Sequence, residues 1–268
     1  MSRKALQIIF IVLMVMFTTA CTSSSKQQQA ALETNGQSSQ QKPAFDKVDV
    51  YVDKRDPFES MNRVLWDFNW NVLDKYLLRP IAVGYTKLPD PAQMGVRNFI
   101  TNLEEPGYAI NSLLQGKVAD SGAGVGRFVV NSTIGILGLF DVAKHLGLEQ
   151  KKESFGETMA VAGVGNGPFF MIPAYGPTTV RDGTGDFVDG LVFPLSLLSL
   201  PQSILKTGIK AVYTRADLIQ QESLINQSTD SYIFIKEAYF QGQAYKVYNG
   251  NPPIPEPTFD DSFLDEID

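Results

Sequence analysis

The chain has 268 residues, of which 44% are hydrophobic and only 19% charged, and its formal net charge at pH 7 is −6. That length suits one large domain or two small ones. An acidic chain without a basic cluster is a poor partner for nucleic acid, whose phosphates are held by Lys and Arg, and a poor candidate for electrostatic docking on anionic lipid.

The N-terminus carries Arg3 and Lys4, then an uncharged run from Ala5 to Phe17, then Thr18, Thr19, Ala20 and Cys21, the single cysteine. A basic start, roughly 13 apolar or uncharged residues and small residues at the end describe an export signal over residues 1–20. Cysteine directly after the small residues makes the segment look like a bacterial lipoprotein signal. Thr18 stands where that signal prefers Leu, and an ordinary secretory signal or an uncleaved anchor helix are the alternatives. On the lipoprotein reading Cys21 takes a diacylglycerol and a fatty acyl group as its only cofactor-like modification. Several acyl chains anchor firmly, at ~0.8 kcal/mol per buried CH2. An acylated Cys21 leaves no thiol for a disulfide, for catalysis or for a metal. Removing residues 1–20 takes Arg3 and Lys4 away, so 21 basic residues face 29 acidic ones in the mature chain.

Residues 21–55 read as a lipidated flexible tether. Thr22 to about Asp49 is rich in Ser, Gln and Ala and holds too few large apolar residues to fold. At ~5–6 Å × √n, about 28 such residues reach near 30 Å. Residues 56–249 read as one mainly helical body.

Its first element, Ser60–Leu78, is dense in apolar residues, among them Met61, Val64, Trp66, Phe68, Trp70 and Val72. They cover more than one helical face, so this helix meets apolar material on several sides. Asp90-Pro91 opens a helix that runs to Glu105. Pro106–Gln115 predicts a separate short helix ended by Gly116. Lys117–Ser132 is a further helix, in which Gly122 and Gly126 permit close packing. Pro201–Arg215, Ala216–Ile225 and Ser231–Tyr248 are amphipathic. Alternating β patterns are scarce. The tail, residues 250–268, is rich in proline, has six acids and no base, and reads as disordered.

Charge is absent from Phe128–Phe140, Thr158–Val180 and Gly190–Leu205. None of the three reads as a spanning helix, which needs about 20 apolar residues. The first and last are too short, and the middle one is broken by Gly163, Gly165, Gly167, Pro168, Pro173, Gly176 and Pro177. Such stretches are either deep core or apolar surface lying in a membrane without crossing it. Ile136, Leu137, Leu139, Phe140, Leu197 and Leu198 are the membrane-embedded candidates.

Catalytic patterns are missing. His145 is the sole histidine, in a polar setting that suits an exposed loop. With one His and no free Cys, histidine-rich zinc sites and cysteine–histidine pairs are excluded. Gly122–Arg127 reads G-A-G-V-G-R but lacks the Lys and Ser/Thr of a phosphate loop. The carboxylate pairs Asp182 with Asp186 and Glu104 with Glu105 read as surface charge or helix capping. No metal site and no enzyme activity are expected.

At Asp56 the chain reads D-P-F-E-S-M-N-R-V-L-W-D-F-N-W-N-V-L-D. Later come R-N-F-I-T-N-L-E-E-P at Arg97–Pro106, R-F-V-V-N-S-T-I-G-I-L-G-L-F-D-V-A at Arg127–Ala143 and F-G-E-T-M at Phe155–Met159. G-V-G-N-G-P-F-F at Gly163–Phe170 and P-A-Y-G-P-T-T-V-R-D at Pro173–Asp182 complete the set. This ordered set, spanning about Asp56–Tyr248, resembles the MlaA (VacJ) family of outer-membrane lipoproteins.

The resemblance implies a ring-shaped single domain of about eight to ten amphipathic helices with a central lipid path. It implies a place at the periplasmic face of the outer membrane of a Gram-negative bacterium, inside the inner leaflet. It implies partnership with a trimeric porin and a periplasmic lipid carrier, and passage of phospholipid mislocalised in the outer leaflet, which maintains lipid asymmetry. A phospholipid with ~30 chain CH2 groups faces a barrier of order 20 kcal/mol in water, and a shielded conduit removes much of it without chemistry. Asp67, Phe68, Asn69 and Trp70 are the candidates for the wall or gate of the path, with Phe68 and Trp70 toward acyl chains and Asp67 and Asn69 toward headgroups or water. The competing reading is that the two aromatics only pack the ring. A structural envelope lipoprotein and a lipid-cleaving enzyme remain the alternatives from other classes.

Overall fold

The computed structural model describes residues 53–253, so Cys21, most of the tether and the acidic tail beyond residue 253 lie outside the described residues. The described body is mainly α-helical with one small β-hairpin. It begins earlier than residue 56: Asp53 is buried and its carboxylate accepts hydrogen bonds from the Arg55 backbone and guanidinium.

The first predicted helix is two kinds of helix in one rod. Helix α1 spans Glu59–Asp67, a π-helical segment covers Phe68–Leu78, and α2 runs Arg79–Tyr85. Pro80 lies just past the widened segment. A proline ring in a tight helix clashes with the carbonyl four residues back, here Tyr76, and a wider turn relieves that clash. Sequence periodicity alone does not separate the two helix types.

Helix α3 spans Asp90–Leu114 without a break, so the predicted division at Pro106 is wrong. Pro106 removes one backbone bond, but packing of α3 along its neighbours outweighs that loss. Pro89 occupies the cap position, with Asp90 inside the first turn. Helix α4, Val118–Thr133, follows after a turn at Gly116, whose φ is 78°. A Cβ at Gly124 would stand 3.1 Å from the Ala109 Cβ, and one at Gly126 would stand 3.2 Å from Leu148. Gly124 and Gly126 therefore carry the close packing; Gly122, expected to share it, meets nothing within 4 Å.

Residues 134–141 form a tight apolar turn. Ile136 and Leu137 both adopt left-handed backbone, with φ 52° and 57°, a conformation that β-branched residues strongly disfavour. Gly138 admits no side chain, because a Cβ there would lie 2.4 Å from the Asn102 Cβ. Helix α5, Val142–His145, is capped by Asp141, and His145 at its end is exposed.

Helix α6, Phe155–Val161, has a capping box made by Ser154 and Glu157. Strands β1, Phe169–Ile172, and β2, Gly176–Thr179, pair antiparallel with Phe169 opposite Thr179. Helix α7, Val180–Asp189, starts on Thr179, whose hydroxyl accepts from the Asp182 backbone. Helix α8, Leu200–Leu218, leads through a 3-10 turn into α9, Glu222–Gln227, and α10, Ser231–Val247.

The packing neighbours form a closed circuit. Helix α1 runs into the π segment and α2; α2 packs on α8, α8 on α3, α3 on α6 and α6 on α7. Helix α7 then meets β2, β2 pairs with β1, and β1 returns to α1. Two small apolar clusters pin this circuit, one around Trp66, Phe169, Met171, Tyr232 and Phe240, the other around Ala82, Tyr85 and Ala216.

Candidate functional site

The distribution of side chains is inverted relative to a water-soluble protein. Among the described residues, buried polar and charged side chains outnumber buried hydrophobic ones, while large apolar side chains crowd the surface. Val64, Phe68, Val72 and Tyr76 recur every four residues along one exposed stripe. Contiguous exposed apolar surface of this kind marks contact with a membrane or a partner. No helix among the described residues is long and apolar enough to cross a membrane.

The sequence-selected apolar residues occupy this exterior. Ile136, Leu137, Leu139 and Phe140 are exposed on the turn after α4, and Leu197 is 72% exposed in the segment before α8. Leu198 beside it is half-buried.

The interior is polar and charged, and several elements supply it. From α3, Glu104 accepts from Lys206 Nζ at 2.9 Å, from Lys210 Nζ at 2.8 Å and from the Tyr108 hydroxyl at 2.6 Å. Burial pushes the Glu104 carboxyl up, but the Lys210 and Lys206 ammonium groups outweigh that push and hold it at about 2. From α7, buried Asp182 accepts from the Tyr239 hydroxyl on α10, and Asp186, solvent-exposed, accepts from the Tyr175 hydroxyl. Asp189 accepts from Asn111 at 2.8 Å and from the Phe155 backbone at 2.9 Å. Desolvation raises the carboxyls of Asp186, Asp189 and Glu157 above the ordinary range. Asp186 feels both Lys210 on α8 and Lys246 on α10, so the charges of α3, α7, α8 and α10 form one electrostatic neighbourhood. The expectation that Glu104 and Glu105 are surface charge is overturned, since they are 8% and 1% exposed. Glu104 takes donors on both oxygens and Glu105 on one, Oε1, as a buried carboxylate persists only where it is paired and hydrogen-bonded. Asp182 is also buried, where surface charge or capping was expected.

The four gate candidates fall at the junction of α1 and the π segment. Asp67 and Phe68 are exposed. Asn69 Nδ2 donates to the Ile172 carbonyl at 2.9 Å, and its Oδ1 accepts from the Ala174 backbone at 2.9 Å. Two helical turns earlier, Asn62 does the same for β1: its Nδ2 donates to the Phe169 carbonyl at 3.1 Å, and its Oδ1 accepts from Met171 N at 2.9 Å. Asn62 thus satisfies the β1 edge that β2 leaves open, and Asn69 holds the β1–β2 turn. Trp70 stacks on Trp66 with centroids 5.3 Å apart, and the Arg215 guanidinium sits 5.2 Å from the Trp70 centroid. Asn69 and Trp70 therefore have structural partners, whereas Asp67 and Phe68 face outward. A π-helical segment of this length is rare, and such widened turns concentrate at functional sites.

Among the described residues no group of three or more His, Cys, Asp and Glu is arranged to hold a metal ion. Sequence reasoning missed the buried ion pairs. Arg127 donates to Glu105 at 2.7 Å and to Asp141 at 3.0 Å. Arg215 holds Asp74 through two nitrogens at 2.7 and 2.9 Å. Their one sequence signal is an ionisable residue next to an apolar run, as with Asp74 after V-L and Arg127 before F-V-V.

Comparison with known proteins places this arrangement. A family model described as "MlaA lipoprotein" matches residues 54–246. The "Intermembrane phospholipid transport system lipoprotein MlaA" of Escherichia coli (strain K12) is 39% identical over 207 residues, 76% of this chain and 82% of the relative. The protein of the same name from Haemophilus influenzae is 34% identical over 222 residues, 81% of this chain and 88% of the relative. A solved structure, described under the words "Structural basis for maintenance of bacterial outer membrane lipid asymmetry", superposes with a TM-score of 0.68 at 41% identity. The match covers 72% of this chain and 98% of that one.

Proposed function

This chain belongs to the MlaA lipoprotein family, and from that premise we propose that it is the outer-membrane component of an intermembrane phospholipid transport system. In this role it removes phospholipid mislocalised to the outer leaflet and so maintains lipid asymmetry. The observation that carries the reading is the inverted body, with apolar side chains outside and paired charges inside. An apolar exterior is stable in hydrocarbon, where each bare charge costs several kcal/mol. A polar interior offers a headgroup the hydrogen bonds that the hydrocarbon lacks.

The work is passive. The acyl chains keep apolar contact while the headgroup moves along polar groups, and no covalent step is required. The relatives are transport-system lipoproteins, and direction comes from partners that consume energy. A trimeric porin is the partner for the apolar exterior and a periplasmic lipid carrier the partner that receives the lipid. Acylated Cys21 tethers the body to the inner leaflet of the outer membrane.

Deletion of the gene, followed by measurement of surface-exposed phospholipid, tests this. Phospholipid is expected to rise in the outer leaflet and to fall on restoring the gene. Unchanged asymmetry in the deletion strain would leave only a structural envelope role. Turnover of phospholipid by the purified protein would instead establish the enzyme.

A further inference from the structure

Beside the Arg127 ion pair lies a cavity of about 30 Å³ walled by Asn98, Thr101, Asn102, Glu105, Asn131 and Asp141, among others. Two oxygens in that wall, Asn102 Oδ1 and Glu105 Oε2, are buried without any hydrogen-bond partner. Their residues are 3% and 1% exposed. They are three residues apart on α3 and so lie on one helical face.

The nitrogen donors of the wall already have acceptors; the Thr101 hydroxyl is the remaining donor there. Arg127 Nε and Gln150 Nε2 reach Glu105 Oε1 at 2.7 and 2.6 Å. Arg127 Nη2 and Asn131 Nδ2 reach the two oxygens of Asp141, each at 3.0 Å. Arg127 Nη1 goes to the Leu148 carbonyl, Asn102 Nδ2 to Ser132 and Asn98 Nδ2 to the Leu139 carbonyl. No nitrogen of the wall therefore reaches either orphaned oxygen. The cavity is also short of positive charge, since its wall holds two carboxylates and one guanidinium.

We propose that this cavity binds one small hydrogen-bond-donating cation, a primary ammonium group. The volume suits a single water-sized group. Hard metal ions require six or more oxygens, and two orphaned acceptors do not supply them. An ammonium needs only a few acceptors and leaves one substituent pointing out through the mouth. Asn98 in the cavity wall donates to the Leu139 carbonyl of the exposed apolar turn. The ammonium can come from free solution or from the ethanolamine headgroup of a phospholipid lying against the turn. The headgroup source rests on the transport reading above; the free-ion source does not.

The test uses the full-length lipoprotein purified in detergent. In one arm, thermal unfolding is compared in ammonium chloride and in tetramethylammonium chloride at equal ionic strength. The second cation has the same charge and no N–H. In the other arm, the protein is equilibrated with equal amounts of phosphatidylethanolamine and phosphatidylcholine, and retained lipid is read by native mass spectrometry. Ammonium is expected to raise the unfolding midpoint above that in tetramethylammonium. With a lipid source, ethanolamine lipid is enriched about tenfold, the discrimination that one charge-assisted hydrogen bond supplies.

Glu105→Gln removes the charge and turns an amide donor toward Asn102, so both effects are expected to vanish in it. If that variant fails to fold, Asn102→Ala serves the same purpose. An ammonium effect without lipid preference assigns the site to the free ion. Equal retention of both lipids together with no ammonium effect overturns the inference, leaving an enclosed water or an inverted Asn102 amide closing on Glu105. Loss of all phospholipid from the wild-type protein would instead count against the conduit reading, whatever the ammonium arm shows.

Discussion

Asp74 and Arg215 lie 141 positions apart and meet as a buried two-point ion pair, with N–O distances of 2.7 and 2.9 Å. The pair joins the π segment to α8, and Glu222 adds a third carboxylate contact at 2.9 Å. Removing one partner of such a pair strands the other without water, at about 3–5 kcal/mol. Arg215→Leu is therefore expected to be strongly destabilising, and Asp74→Leu combined with Arg215→Leu to be milder than either single change. Denaturant midpoints in detergent check this. Additive single and double effects would show that the two charges do not act as a unit.

Acid stability should report Glu104. Its folded value, about 2, lies below the ordinary 4.5. The folded state thus holds its proton less tightly than the unfolded chain, and the contribution to stability is complete above the ordinary value and lost as pH falls through about 2. Wild-type and Glu104→Gln proteins should differ most in unfolding midpoint near neutrality and converge on acidification. Asp186 and Asp189 run the opposite way. Desolvation raises their values, so their contribution is present at low pH and lost as pH rises through the raised values. A constant gap between wild type and Glu104→Gln across the acid range would sink the assignment.

Ile136 separates membrane contact from core packing. It is 58% exposed in a left-handed backbone, a conformation that costs an ordinary residue about 1–2 kcal/mol and that Asn tolerates. Ile136→Asn is expected to leave the detergent-solubilised fold at least as stable. In a Cys21→Ala background it should weaken retention on membranes, and Ile136→Asp or Leu198→Asp should weaken it further. Charge at the membrane centre costs roughly 2–3 kcal/mol, less near its surface. Full retention of the Asp variants would assign these residues to ordinary exposed surface.

Cys21 carries its own prediction. Cys21→Ala is expected to abolish acylation and to release the protein from the outer membrane. Thr22 follows the cysteine, so the aspartate that commonly holds lipoproteins at the inner membrane is absent and outer-membrane sorting is expected. Intact mass of the mature protein should show the diacylglycerol and acyl groups. An unmodified thiol or a retained signal would refute it.

The helical body was legible from apolar spacing, because amphipathic helices repeat their pattern every 3.6 residues whichever side faces apolar material. Which side faces out was not legible. Val64 and Trp66 are equally apolar in sequence, yet Val64 is 66% exposed and Trp66 is 7% exposed. The same symmetry hid the polar interior: Glu104 and Glu105 read as surface charge because burial of a carboxylate depends on cations brought from α4 and α8, far along the chain. Pro106 misled for a related reason, since a local rule against proline yielded to packing along the rest of α3. Asn62 and Asn69 were visible as residues, but their shared role appears only once β1 lies against α1.

Deleting Asn69 and Trp70 tests the gate directly. The deletion removes the amide that holds Ile172 and Ala174 and the ring between Trp66 and Arg215. It also moves every later residue of the segment by roughly half a turn around the helix axis, which takes Asp74 away from Arg215. If the segment gates a lipid path, the path loses its closed geometry while the body still inserts. Phospholipid is then expected to accumulate in the outer leaflet even in cells that carry a normal copy. If the segment only packs the body, the protein should be scarce and the defect should disappear beside the normal copy. Asn69→Ala separates the two contributions, because it frees the β1–β2 turn without shifting Asp74. A leak from Asn69→Ala assigns the gate to the turn, and a leak from the deletion alone assigns it to the registry of the π segment. A stable, abundant deletion protein with unchanged outer-leaflet lipid in both backgrounds would eliminate gate and packing alike.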